Sequence, residues 1–427
     1  MNDLSKSSIE TLPYDVVILG AGYAGLMAAL RLRRRRPQPR IALVNGSDQF
    51  IERVRTQEQI SGPVGSRIPS IAALLAGTGI DFVHGIVVAL DPVRRRVRIA
   101  SGACERELGF DRAVYALGSH VDVSGVPGAE QHAYRLDTGE GPRSVAALRA
   151  RLAQKADRPP RVIVVGGHET AIEAAGEIKT RWPDADVTMI ARSRCAVFKG
   201  ERVAHAIRAA LTRLGAKVID HQTVTEVRAG EVFTATQGDA QEIIPCDVCV
   251  WSGGLRSPAI ARQAGLATDP QGRVWVDPGL RSISHPHILA VGDAAHPMAP
   301  TGAGYRMSAY AALVSGAYAA DAILDARAGR TSPPFSYSAY GQGVAIGRVG
   351  VGFATFPDDR KAFFLISGRN GIRVRNFFVR LLVTLIRMER NHPGLFFTVG
   401  RGRVSWQRAE EAMKEAMKQA MRTAQAA

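Results

Sequence analysis

The sequence predicts an α/β fold in which two similar parallel-sheet units are followed by a C-terminal extension. Two observations establish the units. An apolar run at 16–19 stops at Gly20, gives way to a glycine-rich turn and a helical pattern (Leu26, Met27, Leu30), and leads past Pro37 and Pro39 to a second apolar run at 41–44. The same succession recurs as a strand at 162–165, a turn at Gly166-Gly167, a helix from about 170 to 179 and a strand at 187–190. A third observation links them: Gly20 to Asn45 and Gly166 to Ala191 both span 25 positions, as a duplicated strand–helix–strand unit would.

The remaining elements follow in order. Short strands are predicted at 83–90, 97–100 and 113–116. A helix at 143–154 and a loop at 157–160 precede the second unit. Several short β-type runs lie between 218 and 251, and a hairpin-like piece at 274–276. A strand at 288–291 is stopped by Gly292-Asp293, and an alanine-rich helix is predicted at 308–324. The expected organisation is a first domain split over 12–118 and 255–330, a second domain inserted at 119–254, and a C-terminal region at 331–427.

Composition narrows the function classes. The apolar fraction of 46% excludes wholesale disorder. The net charge of +16 leaves three readings: solvated basic surface, attraction to an anionic membrane or anionic cofactors, and nucleic acid. No zinc-finger spacing, RNP-like aromatic motif or heptad zipper supports the last, so no nucleic-acid partner is expected. Four cysteines are too few for a disulfide framework. Residues 1–11 lack the apolar segment of a signal peptide, and no apolar run reaches 18 residues, so a cytoplasmic location is the default expectation.

Gly20-Ala21-Gly22-Tyr23-Ala24-Gly25 is a complete GxGxxG between strand and helix, the context that makes this pattern a dinucleotide site. Gly20 permits the tight turn, Gly22 lets a pyrophosphate approach the backbone, and Gly25 lets helix and strand pack closely. The helix N-terminus offers free N–H groups to the phosphates. At the end of the second strand an acid would hold the ribose hydroxyls. Asn45 stands there and offers a hydrogen bond without charge assistance. The second turn, Gly166-Gly167-His168-Glu169-Thr170-Ala171, keeps the first glycine but has His168 and Ala171 for the others. It reads either as a working nucleotide site or as a vestige. Its second strand ends in Ala191-Arg192-Ser193-Arg194. Arginines there suit a 2′-phosphate and so NADPH over NADH, or they are a solvated basic turn.

Taken together, these segments resemble the FAD/NAD(P)-binding pyridine-nucleotide oxidoreductases, in particular the branch of type II NADH:quinone oxidoreductases. The resemblance runs over the first 325 or so residues. It rests on the first glycine turn and on 164–177, which is similar to the nucleotide-site stretch of that branch. It rests also on Ala116-Leu117-Gly118-Ser119 and its second copy Trp251-Ser252-Gly253-Gly254, and on Leu289-Ala290-Val291-Gly292-Asp293-Ala294-Ala295, which resembles the flavin-binding GD motif. The resemblance implies two Rossmann-like domains holding FAD and NADPH or NADH. Asp293 would bind the ribityl chain, and Glu173 the nicotinamide ribose or amide. Tyr23, Ala24, Arg55, Val87, Thr170 and Met307 would complete the cofactor contacts. It implies hydride transfer from NAD(P)H to flavin and on to a small acceptor, for which positioning and exclusion of water suffice.

The departures are specific. Quinone enzymes of this branch carry glutamines after the GD motif, where this chain has Tyr305-Arg306-Met307-Ser308-Ala309-Tyr310. A quinone acceptor therefore stands beside other small acceptors. A tailoring oxidoreductase acting on a small aromatic metabolite, and a flavin-binding scaffold or redox sensor with a dead second site, are the alternatives. Disulfide reductases place a cysteine pair soon after the first unit, but the first cysteine here is Cys104. Cys246 and Cys249 form CxxC inside an expected buried strand, where odd spacing predicts opposite faces. His285, His287 and His296 are expected to be loop residues, and no metal site is expected.

In the C-terminal region, Phe377, Phe378, Leu381, Leu382, Leu385 and Ile386 recur at one-turn spacing, with Arg373, Arg380, Arg387 and Arg390 interleaved. Three placements fit: the membrane interface, against the inner face of the cell membrane, with this apolar face among the lipids; packing on the flavin domain; and self-association. A further helix, 406–427, is alanine- and lysine-rich.

Overall fold

The computed structural model describes residues 13–425 except 69, 138–140, 155–156, 237–240 and 396–403. The chain opens with β1 (Tyr14–Leu19), α1 (Tyr23–Arg31) and β2 (Ile41–Asn45). After a 3₁₀ segment, Arg53–Ile60, come α2 (Ile71–Leu75), β3 (Ile80–His84), β4 (Ile86–Asp91), β5 (Arg96–Ser101) and β6 (Cys104–Tyr115). These strands form one sheet in the order β3-β2-β1-β6-β5-β4. Where one strand is predicted at 83–90 there are two, because Gly85 approaches its neighbours closely. A Cβ there would lie 2.5 Å from Ile99 and 2.8 Å from the Ala100 carbonyl oxygen. The strand predicted at 113–116 is the end of the longer β6. Its first half pairs antiparallel with β5 and its second half parallel with β1.

The chain then crosses to a second sheet. Its elements are β7 (His120–Val121), α3 (Ala129–His132), β8 (Ala133–Arg135), α4 (Val145–Leu152), β9 (Arg161–Val165), α5 (Glu169–Arg181), β10 (Asp186–Ala191), α6 (Glu201–Arg213) and β11 (Lys217–Asp220). Three antiparallel strands follow, β12 (Thr223–Arg228), β13 (Glu231–Ala235) and β14 (Glu242–Pro245), then β15 (Val248–Trp251) and β16 (Leu255–Arg256). The order β11-β10-β9-β15-β8 is parallel throughout. On one face Val162, Val164, Val248 and Val250 meet Leu148, Ile172 and Ile207 of α4–α6. On the other, Ile163, Val165 and Trp251 meet Val224, Val227 and Val232 of the antiparallel sheet. Strands buried on both faces read as unbroken apolar runs, which is why both units were visible in the sequence.

β16 pairs with β7, so the chain enters and leaves this part side by side. It returns through α7 (Ile260–Gln263), β17 (Val274–Val276), β18 (Ile288–Ala290), β19 (Ala295–Pro297) and α8 (Ala309–Arg327). β18 joins the first sheet beside β6. β17 is bridged antiparallel to the chain on either side of it, Val274 to Thr268 and Val276 to Ser282, as the hairpin-like reading expected, and it also pairs parallel with β19. The Ser308 hydroxyl caps α8, accepting from Ala311 N–H at 3.2 Å. α8 lies against α1 at Gly316, where a Cβ would sit 2.2 Å from the Ala24 carbonyl oxygen.

The C-terminal part holds a sheet, β20 (Gly341–Ile346), β21 (Val349–Thr355) and β22 (Ala362–Ser367), then α9 (Gly368–Asn391) and α10 (Trp406–Gln425). It packs on both preceding parts. Val344, Ile346, Val351 and Phe353 join the core beside α5 and α6, while Val383, Leu385 and Ile386 join the core beneath α1. Two ion-pair groups of opposite polarity fix α9. Arg375 of α9 binds Glu173 of α5 and Glu58, and Glu389 of α9 binds Arg31 of α1, which also holds Asp321. The buried stripe of α9 includes Gly371, Arg375, Val379, Val383, Ile386 and Glu389, and Phe377 is 61% exposed. Of the three placements, the packed helix describes the inner face. The face expected to be uniform is divided, with Leu385 and Ile386 inside and Phe377 outside.

Candidate dinucleotide sites

The first glycine turn uses each glycine for a different reason. Gly20 has φ of +99°, and a Cβ there would lie 2.5 Å from the Ala116 carbonyl oxygen. At Gly25 a Cβ would lie 1.8 Å from the Gly20 oxygen. At Gly22 it would meet nothing within 4 Å. Two glycines are thus required by the protein's own packing, and the third borders open space over the start of α1. No side chain caps α1, so its first N–H groups face that space. Ala24 is buried against α8. Tyr23, edge-on to Phe50 at 5.1 Å, carries a buried hydroxyl without a protein partner. Asn45 accepts from the Ala21 N–H at 3.0 Å and donates to the Ser47 carbonyl at 2.7 Å, so it braces the turn from the strand end.

The other segments converge on this turn. Ala116, Leu117 and Gly118 leave β6 beside Gly20. Gly292 has φ of +61° and wedges between Ala24 and Ala312. Its carbonyl accepts from the Tyr305 hydroxyl at 2.7 Å, and its N–H donates to Ser315 at 2.9 Å. Asp293 accepts from the Ser119 hydroxyl at 2.7 Å, and burial raises its carboxyl pKa. Arg53 donates to the Ser119 carbonyl and supplies a positive charge near Asp293. Met307 is half-buried in the loop before α8, and the Val87 side chain lies in the core from β4. An open cradle at Gly22, uncapped helix N–H groups and an unpartnered buried hydroxyl fit a dinucleotide such as FAD.

The second turn is built differently. Gly166 has φ of +137°, and a Cβ there would lie 3.1 Å from the Cβ of Ala171. Ala171, standing where the motif has glycine, is accommodated because Gly166 has no side chain. At Gly167 a Cβ would lie 3.0 Å from that of Ala191, and the Gly167 carbonyl accepts from Ala196 N–H at 3.0 Å. His168 precedes α5 without capping it, and its side chain is exposed, so it leaves the turn uncrowded. Thr170 and Arg192 are exposed at the sheet's C-terminal edge, where such folds bind nucleotides. Gly253 follows β15, its carbonyl accepting from Trp251 Nε1 at 2.7 Å.

Two expectations are corrected, at Glu173 and at the CxxC pair, and the surroundings of Arg55 are defined. The Glu173 carboxylate is taken up by the protein itself: Arg375 donates to both its oxygens (3.1 and 2.9 Å), Ala345 N–H donates at 2.8 Å, and Gln57 donates as well. The Arg55 guanidinium is ion-paired with Glu58 at 2.9 Å and Glu52 at 3.5 Å, and its charge acts on Tyr23 of the first turn. Arg53, two residues earlier, points to Ser119 and Asp293 instead, because residues two apart on a 3₁₀ segment face different directions. Cys246 precedes β15 rather than lying in it, so strand alternation does not apply, and both thiols enter one cluster.

His296 bonds Asp269 at 2.8 Å and His287 bonds the Pro92 carbonyl at 2.9 Å. Among the described residues no group of His, Cys, Asp and Glu is arranged for a metal ion, and no helix is long and apolar enough to cross a membrane.

A profile of the pyridine nucleotide-disulphide oxidoreductase family matches residues 14–316. Demethylphylloquinone reductase of Synechocystis sp. is 26% identical over 347 residues, covering 78% of this chain and 85% of that protein. An NADH dehydrogenase-like protein of Mycobacterium tuberculosis is 30% identical over 302 residues, covering 66% and 72%. Among solved structures, the sulfide:quinone oxidoreductase of Aquifex aeolicus superposes with a TM-score of 0.75 at 17% identity, covering 90% of this chain and 95% of that one. NDH2 of Plasmodium falciparum, in complex with NADH, gives 0.74 at 14% identity, covering 91% and 99%. These two likenesses concern the fold.

Proposed function

The chain belongs to the pyridine nucleotide-disulphide oxidoreductase family, and on that premise we propose that it is an FAD-dependent NAD(P)H oxidoreductase whose acceptor is a quinone or a related small molecule. The observation that carries this reading is the pairing of two glycine turns, each at the C-terminal edge of the parallel strands of its own sheet. Only the first has the GD motif against it. The quinone acceptor is supported by relatives named demethylphylloquinone reductase and type II NADH:quinone oxidoreductase.

When bound, FAD supplies the two-electron acceptor that takes a hydride from reduced nicotinamide and passes electrons onward. The protein's part is placement. Gly22 leaves room for the diphosphate, and the N-terminus of α1 faces it. Asp293, held by Ser119 with Arg53 alongside, lies where the ribityl chain would run. The second turn and the start of α5 would receive NAD(P)H, and Arg192 would meet a 2′-phosphate. The disulphide chemistry in the family's description finds little support: Cys104 is exposed at the start of β6, and the other three thiols are buried.

The outer face of α9, with exposed Phe377, Arg373, Arg380 and Arg387, supports peripheral contact with an anionic membrane, which would suit a lipid-soluble acceptor.

Anaerobic mixing of the FAD-loaded protein with NADH and with NADPH tests the reading. Bleaching of the flavin band, faster with NADPH, is expected. Arg192→Glu should raise the KM for NADPH far more than that for NADH. A flavin that neither nucleotide bleaches would refute the enzyme in favour of a flavin-binding scaffold.

A further inference from the structure

Arg306 follows Tyr305 in the loop before α8, one residue beyond the hydroxyl that holds Gly292. Its guanidinium does not turn back toward the GD motif. One nitrogen lies 3.6 Å from Glu169 of α5, and another lies 3.3 Å from Asp359 and donates to the Gln342 side chain. Gln342 in turn donates to the same Glu169 oxygen at 2.6 Å. Asp359 is anchored by Lys199, whose ammonium lies 2.7 Å from its carboxylate and donates to its carbonyl at 2.6 Å. The Lys199 and Asp359 side chains are only 5% and 7% exposed. One polar chain therefore joins the loop of the first unit, the C-terminal sheet and the start of α5 in the second.

Glu169 is the residue that needs such a restraint. It is the first residue of α5, where the helix's unpaired N–H groups attract any carboxylate nearby. Those N–H groups are also what a nucleotide diphosphate would use. Left to itself, Glu169 would compete for them and repel the diphosphate. Here its side chain is engaged by Gln342 and Arg306 instead.

We propose that Arg306 and Gln342 are positioning residues that hold Glu169 aside and offset its charge, so that the diphosphate of NAD(P)H can occupy the N-terminus of α5. The proposal rests on reading the second turn as the NAD(P)H site. It gives Arg306, which lies in the stretch where this chain departs from the glutamines of the resembled branch, a task on the nucleotide side. It also ties nucleotide binding to the loop that braces the GD motif through Tyr305.

The test is equilibrium titration of the oxidised, FAD-loaded protein with NADP⁺ and with NAD⁺, read by calorimetry. Arg306→Gln should weaken both nucleotides by roughly threefold to tenfold, the effect of an unshielded carboxylate at a helix N-terminus. Glu169→Gln should bind at least as tightly as wild type. Arg306→Gln combined with Glu169→Gln should recover wild-type affinity, and Arg306→Lys should recover part of it. An unchanged flavin spectrum in each variant excludes loss of the fold. A double variant as weak as Arg306→Gln alone overturns the proposal, since Arg306 would then act on the nucleotide or the loop without Glu169. Wild-type protein that binds neither nucleotide refutes the site assignment itself, and the proposal with it.

Discussion

Arg375→Met isolates the strongest buried charge contact of the C-terminal clamp. The guanidinium makes two bonds to Glu173, one to Glu58 at 2.5 Å and one to the Val54 carbonyl at 3.0 Å. The Arg375 and Glu173 side chains are 4% and 7% exposed, so solvent does little to soften the loss. Removing one partner of such a pair costs about 3–5 kcal/mol, because the other charge stays buried without it. With a urea slope of about 3 kcal/mol/M, the midpoint should fall by about 1–1.7 M. Glu173 also sets a pH dependence. Burial raises its carboxyl pKa even with Arg375 opposing, so in the variant the native state holds a proton that the unfolded chain releases. Native stability then declines as pH rises, and the deficit against wild type is larger near neutrality than near pH 5. Arg375→Met with Glu173→Gln removes the stranded carboxyl, and with it the need to bind a proton, while keeping an acceptor for the Ala345 N–H, and should recover at least half of the loss. Urea unfolding followed by circular dichroism at two pH values measures all three proteins. A midpoint shift below about 0.3 M, or a double variant no better than the single one, refutes the clamp as described.

Three further outcomes are expected. Gly22→Val, whose side chain enters open space, should fold and lose FAD, whereas Gly25→Ala, driven into the Gly20 carbonyl, should lose stability first; a yellow Gly22→Val protein would sink the assignment of that turn. Burial pushes the Cys195 and Cys246 thiols up to about 11 and raises that of Cys249 also, so a thiol reagent near pH 8 should label Cys104 alone in native protein and all four cysteines after denaturation. Binding to anionic vesicles, if α9 touches a membrane, should weaken with salt and on Phe377→Glu with the flavin spectrum intact; absence of binding at low salt removes the membrane from the reading.

The first glycine turn and the Gly292-Asp293 turn were legible because their residues are dictated locally. A positive φ or a close backbone approach admits glycine almost alone, and adjacent strands announce themselves as apolar runs. The C-terminal clamp was not legible. Arg375 and Glu389 find their counter-charges far away in sequence, on Glu173 and Arg31, so a face that is buried reads as polar, while exposed Phe377 reads as core. Periodicity assigns faces by residue type and is misled when ion pairs go inside. Glu173 was misread for the same reason: its position one turn into α5 suggests a ligand contact, and only the fold brings Arg375 to it, 202 positions along the chain. Arg53 shows a smaller version: its approach to Ser119 and Asp293 depends on a 3₁₀ turn that composition does not reveal.

The pairing of β7 with β16 has a consequence for how such a protein is assembled. Where a chain departs from and rejoins its host at adjacent strands, the intervening segment is a plug-in module. It can be gained, lost or exchanged through two neighbouring junctions, without re-threading the host sheet. Its angle to the host is then set elsewhere, here by a C-terminal helix that grips a helix from each side. Modularity and rigidity thus reside in separate parts of the chain, and the alignment of two cofactors could be retuned from residues 368–391 without altering either glycine turn.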